Sequence, residues 1–260
     1  MMSWRKVFSI IAVLSVLVSG ALLYPVRAQE TSEPLVTDRP DFTESAETIP
    51  RGRVQIESGV TFDRSEDERA STFGEVLVRI STGDRSELRI GVPSYLRGRG
   101  AGEKASGFDD LFLGAKFVLK KGGGRKPQYA LLVGTPVPTG SREVAERRYQ
   151  PEAVLAVAFD INDRVAFSTN FGCVRASDGG ERFSQAFGSA SFGFGLTEKW
   201  SAYLEAYAFN RTEPGGDSQQ FVNTGVTYLI NNDFQLDARI GRGLNDGRET
   251  FFGFGASRSF

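Results

Sequence analysis

The 260-residue chain carries 31 Lys and Arg against 32 Asp and Glu, with 30 glycines, 21 phenylalanines, one cysteine and no histidine. Such a balance argues against nucleic acid as a partner, which calls for a basic face. The missing histidine excludes His as general base, proton shuttle or zinc ligand, and with it every Ser-His-Asp or Cys-His arrangement.

Residues 1–28 read as a secretory signal: Arg5 and Lys6 form a positive start, residues 7–23 are almost unbroken apolar, and Val26-Arg27-Ala28 offers small residues for cleavage before Gln29. A membrane anchor is the rival reading. This segment holds three basic residues and no acidic one, so the remaining 232 carry 28 basic against 32 acidic side chains, a net charge of −4. No second apolar run of that length follows, which excludes a helical membrane protein.

Residues 29–50 show no strand pattern and carry six acids, among them Asp38, Asp41 and Glu44. Two readings stay open for them. One is a disordered leader. The other is a plug in which Asp38, Arg39, Asp41 and Phe42 tuck into a barrel lumen and pair with charges on its wall.

From residue 51 onward, twelve segments alternate with period 2 between turn signals. The first, residues 54–63, sets Val54, Ile56, Val60 and Phe62 against Gln55, Glu57, Thr61 and Asp63. The next three set Val76, Val78 and Ile80 against Glu75 and Arg79; Leu88, Ile90 and Val92 against Glu87 and Arg89; and Leu111, Leu113 and Phe117 against Asp110 and Lys116. The fifth and sixth, around Tyr129 and Ala153, are apolar on both parities, so their orientation stays open. Six more follow at 165–173, where Cys173 reads as a small half-buried strand residue, and at 186–194, 202–209, 222–230, 234–242 and 251–260. Connections alternate between short turns and longer polar stretches such as 64–71, 98–107, 138–150 and 176–182, matching periplasmic turns and external loops. A single cysteine excludes an intrachain disulfide framework.

The pattern predicts an all-β chain: a transmembrane antiparallel up-and-down barrel of about twelve strands, with both termini periplasmic. The closing segment ends on Phe260, and Phe252, Phe254 and Ala256 share its parity, as expected of lipid-facing residues. The opposite parity gives a polar interior with Glu57, Glu75, Arg79, Glu87, Arg89, Asp110, Lys116, Glu205, Asp237 and Arg239 as lumen-lining candidates. These either pair as structural packing or line a selective conduit. Trp200 and Tyr228 mark an interface belt. Glu66-Asp67-Glu68 and Asp217 read as solvated loop charges, with a weakly held calcium as the sharper alternative. Gly122-Gly123-Gly124-Arg125-Lys126 lacks phosphate-loop spacing and reads as a turn.

Four stretches resemble the phenol meta-degradation (MetA-pathway) family of outer-membrane proteins: Thr37-Asp38-Arg39-Pro40-Asp41-Phe42 with the 49–59 segment, Gly107-Phe108-Asp109-Asp110-Leu111, Pro138-Thr139-Gly140, and residues 235–244. They occur in the family's order across nearly all of the chain after the signal. The resemblance implies a channel or transporter in the bacterial outer membrane, with outer-membrane lipid, the barrel-assembly machinery and a small solute as partners and Phe260 as the assembly signal. It supplies no catalytic, cofactor or metal residues, and none are expected. The alternatives are a filled barrel with a structural or partner-binding role in the envelope, and a secreted soluble β-protein.

Overall fold

The computed structural model describes residues 33–66, 68–100, 103–245 and 249–260. The expected signal sequence and its cleavage point lie outside these residues.

Alternation becomes a wall because successive strand side chains point to opposite faces, so one face can be apolar and the other polar. Fourteen strands form: β1 (Val54–Arg64), β2 (Glu68–Gly83), β3 (Ser86–Val92), β4 (Tyr95–Gly100), β5 (Glu103–Phe108), β6 (Leu111–Lys120) and β7 (Gln128–Val137) in the first half. β8 (Glu152–Asn162), β9 (Val165–Asp178), β10 (Glu181–Gly195), β11 (Trp200–Phe209), β12 (Gln219–Asn231), β13 (Phe234–Gly243) and β14 (Thr250–Ser259) complete them. Every pairing is antiparallel, and β1 bonds to both β14 and β2, closing the sheet on itself.

The wall nevertheless has twelve staves, as the sequence predicts. β2 pairs with β3 along one half and with β4 along the other, so β3 and β4 are one stave interrupted at Pro93-Ser94. Proline has no N–H to give a ladder, which places the break there. β5 and β6 likewise form one stave, broken at Asp109-Asp110.

Three stretches expected as loops are mostly strand instead. Residues 68–71 open β2, 98–107 belong largely to β4 and β5, and 176–182 is the tip of the β9–β10 hairpin. In that hairpin Asp178 pairs with Glu181 around Gly179 and Gly180, whose φ values are 54° and 88°. Two consecutive positive φ values make the tight turn whose twist matches the flanking strands, so polarity there marks a turn and not a long loop. Both chain ends of the barrel, near Val54 and Phe260, lie at the end with the short turns; the 138–151 connection lies at the other, loop end.

The outer face carries Phe252, Phe254, Leu204 and Ile240, each about half exposed or more. Trp200 and Tyr228 are cross-strand partners on it, with ring centroids 4.7 Å apart at the turn end. Cys173 also lies on it and is exposed, a correction to the half-buried placement: the barrel is one sheet thick, so nothing packs over its outside. On β7 and β8 the interior is apolar too. Ala130, Leu132, Val154 and Ala156 are buried inside against Ala46, which explains why these strands lose their alternation.

Ala206 and Val226 share the outward parity of Leu204 on β11 and β12. Replacing either by Arg is expected to destabilise the barrel by about 2–4 kcal/mol if it lies near the bilayer midplane. Urea unfolding in lipid vesicles, followed by the heat-dependent gel shift, measures this; unchanged midpoints would contradict the outward assignment.

Candidate functional site

The inner face of the barrel holds both signs of charge, and residues 33–50 run among them. Charges away from water persist only when paired and hydrogen-bonded. On the β1–β2–β3–β6 side the wall presents three cations, Arg79, Arg89 and Lys116, but only two carboxylates among them, Glu57 and Glu87. Arg79 reaches Glu57 at 3.0 Å and Glu87 at 2.9 Å. Asp38 supplies the third carboxylate. It lies 2.9 Å from Lys116 and 3.2 Å from Arg79 and bonds to Arg89 as well. Burial alone would raise its carboxyl; the three cations hold it well below the ordinary carboxylate range. Glu44 adds a contact to Arg89 at 2.8 Å from the edge of the cluster.

Across the lumen the imbalance is reversed. Glu75 and Asp237 face the single wall cation Arg239, and Arg39 fills the gap, 2.8 Å from Glu75 and 3.4 Å from Asp237. Glu75 gets there through a bulge: between the Glu57 and Gly59 levels β2 has one extra residue, and Gly74 and Glu75 adopt φ of 101° and 39°. Room for Arg39 comes from Gly59 and Gly255, direct partners on β1 and β14. A Cβ on Gly59 would sit 2.2 Å from the Arg39 guanidinium, and one on Gly255 2.5 Å from it.

The backbone of the segment is bonded to the wall as well. Glu57 accepts from the N–H of Asp38 and Arg39, and Glu205 from those of Phe42 and Thr43 at 2.9 and 2.6 Å. Asn170 accepts from Glu44 N–H at 2.7 Å, and Glu87 from Ile49 N–H at 2.9 Å. In the other direction, Arg239 donates to Pro40 O, Gln55 to Val36 O and Gln128 to Ala46 O. Asp41 is the exception. Its carboxylate accepts from the Ser191 hydroxyl at 3.3 Å and has no cation beside it among the described residues, and burial together with the nearby Glu205 pushes its carboxyl well above its usual value.

Phe42 enters an aromatic wall. It stacks on Tyr207 with centroids 4.3 Å apart and an interplanar angle of 14°, and Tyr207 stacks on Phe221 at 4.9 Å and 11°. Phe187 and Phe209 meet the Phe42 ring edge-on at 5.4 and 5.5 Å. A cavity of about 280 Å³ at the loop end includes Asp63, Glu68, Phe221 and Glu249 in its lining. A second, of about 370 Å³ toward the turn end, has Arg39, Pro40 and Asp41 along one side.

Nine of the ten lumen-lining candidates thus sit on the inner face. Glu57, Glu75, Arg79, Glu87, Arg89, Lys116, Glu205, Asp237 and Arg239 all bond to residues 33–50 directly or through one partner. Asp110 does not join them. It sits in the break between β5 and β6, where its carboxylate accepts the N–H groups of Thr139, Gly140 and Arg147 and holds the 138–151 loop to the rim. Phe260 is half exposed at the turn end and exchanges backbone bonds with Val54. Sequence reasoning missed Asn170, Asn223 and Tyr207, whose inward parity was the available signal, and put Gln55 on the polar face without singling it out. Of the loop acids, Glu68 opens β2 and Asp67 lies outside the described residues.

A closed antiparallel barrel of twelve staves, apolar outside and charged within, is a β-barrel of the outer-membrane type. Residues 37–260 match the family described as "Putative MetA-pathway of phenol degradation", and the chain belongs to that family. Its fold is similar to that of an outer membrane channel from Pseudomonas putida F1, with a TM-score of 0.63 at 15% identity, covering 83% of this chain and 98% of that one. It is also similar to the KdgM porin in complex with disordered oligogalacturonate (TM-score 0.53, 10% identity, 79% and 99% covered) and to the NanC porin (0.53, 8%, 79% and 98%). No curated protein matches it in sequence.

Asp38→Asn removes the charge that three cations share. Because a buried partner left unpaired costs about 3–5 kcal/mol, residues 33–50 should undock at least ~100-fold more often. Thiol labelling of Ser45→Cys in a Cys173→Ser background reads this directly. Gly59→Ala should speed labelling in the same way by evicting Arg39, while leaving the gel shift of the barrel intact. Equal labelling in all three proteins would contradict the docking role of this dipeptide.

Proposed function

We propose that the chain is an outer-membrane channel for small solutes, apolar aromatic ones among them, whose lumen is closed at rest by residues 33–50. The observation that carries this reading is the placement of that segment. It is bonded to opposite walls through Asp38 and Arg39, with a cavity toward either end. The aromatic wall of Phe187, Tyr207, Phe209 and Phe221, which Phe42 now occupies, gives a flat apolar ligand the surfaces it needs once Phe42 leaves. The acidic mouth near Asp63, Glu68 and Glu249 disfavours anions. No step of this role calls for catalysis.

The density of buried ion pairs supports a second reading, a permanently filled barrel with a structural role in the envelope. Planar-bilayer recording separates the two. Protein lacking residues 29–50 is expected to conduct steadily. A Thr43→Cys/Ser189→Cys pair, whose native hydroxyls are 2.8 Å apart, should silence conductance when oxidised and release it on reduction. Silence of every form, including the truncated one, would favour the filled barrel.

We also propose that Phe260 is read during assembly. Its deletion is expected to lower the amount of folded protein in the outer membrane, seen as loss of the heat-shifted gel band, and an unchanged band would contradict it.

A further inference from the structure

The outer face carries a line of cations that the channel reading does not use. Lys104 on β5 pairs directly with Arg99 on β4, Arg99 with Arg69 on β2, and Arg69 with Arg64 on β1. Arg64 then faces Thr250 on β14, and Thr250 faces Arg242 on β13. Directly opposed residues share a face, so these six side chains form one row across six strands. The row points outward. Phe62, two residues before Arg64, packs on Phe252 and Phe73 on the outer surface, and every cation of the row is exposed.

Like charges directly opposite one another destabilise a sheet. Here three arginines are consecutive neighbours, and among the described residues none of the five cations lies within 4 Å of a carboxylate. Arg97 reinforces the row one level below, beside Ser71. A polyvalent anion from outside the chain would relieve this repulsion.

Its position says which kind. The row marks the loop-end edge of the apolar band. Immediately beneath Arg64, Arg69 and Arg242 lies a surface groove of about 570 Å³, walled by Phe62, Leu204, Ile240 and Phe252. A ligand seated there meets guanidinium groups above and apolar side chains below. Guanidinium is the side chain best matched to phosphate, through paired N–H donors.

We propose that this row and groove form a docking site for a phosphate-bearing lipid of the outer leaflet, its phosphates along Arg99, Arg69, Arg64 and Arg242 and an acyl chain in the groove. The site rests on the reading of the chain as an outer-membrane barrel but not on whether its lumen conducts.

The test uses the full mature protein in detergent and counts bound lipid by native mass spectrometry. The probes are bis-phosphorylated lipid A, the same glycolipid with its phosphates removed, and inorganic phosphate as competitor. Wild-type protein is expected to hold the phosphorylated form about tenfold more tightly, since each cation near an anionic lipid surface adds attraction. Millimolar inorganic phosphate should not displace it. In Arg64→Gln/Arg69→Gln/Arg99→Gln, checked for folding by its gel shift, the preference should vanish. Equal affinity of wild type for both glycolipids would overturn the proposal without recourse to any variant. So would ready displacement by inorganic phosphate, or a preference that survives in the folded triple variant. Conductance is recorded on the same preparation, so a failure here is distinguishable from a failure of the channel reading.

Discussion

Three cations facing one small volume cannot all stay charged with two carboxylates between them. Arg79, Arg89 and Lys116 set that constraint, Glu57 and Glu87 meet part of it, and Asp38 completes it from another part of the chain. The barrel wall is therefore electrostatically incomplete without residues 33–50. On the far side the deficit has the opposite sign, and the adjacent residue, Arg39, answers it against Glu75 and Asp237. Two neighbouring residues of opposite charge thus bridge the lumen. Neither could be exchanged for the other without placing like charges together on both walls.

This arrangement makes the contents of the lumen specific but leaves them removable. Ion pairs bring little net stability over an apolar filling of the same volume, whereas a broken pair is costly. The segment is thus held in one register mainly by charged and polar contacts. Its main apolar contacts are Phe42 on Tyr207 and Ala46 on the inner faces of β7 and β8. An aromatic solute competes for the first of these surfaces. Water entering from either cavity competes for the charges.

The exterior follows a different logic. There the wall meets lipid, so charge is confined to the margins, and the row from Lys104 to Arg242 lies at one of them. Inside, opposite charges are interleaved and mostly paired within the chain, Asp41 excepted. Outside, like charges are aligned and left for another molecule. The same alternating backbone serves both patterns because its two faces are independent.

Period-2 alternation determined the twelve staves, the orientation of all but β7 and β8, and the inward parity of Glu57, Arg79, Glu205 and Arg239, because a barrel one sheet thick leaves each side chain only two directions. It could not place Asp110, whose neighbourhood is a break set by Pro93-Ser94 on the adjoining stave and by the loop it caps. Nor could it recognise strands extended past the apolar band, since beyond lipid the outer face no longer needs apolar residues and polarity resembles a loop. Residues 33–50 carry no period at all. Their path is fixed by long-range pairs such as Asp38 with Lys116 and Arg39 with Asp237, and by the space left at Gly59 and Gly255. The outward cation row was equally hidden, because Lys104, Arg99, Arg69, Arg64 and Arg242 are scattered in sequence and become neighbours only through strand register. Sequence alone determined which face the residues of the clearly alternating strands take; which residues meet across the lumen and along the rim was decided by closure of the sheet.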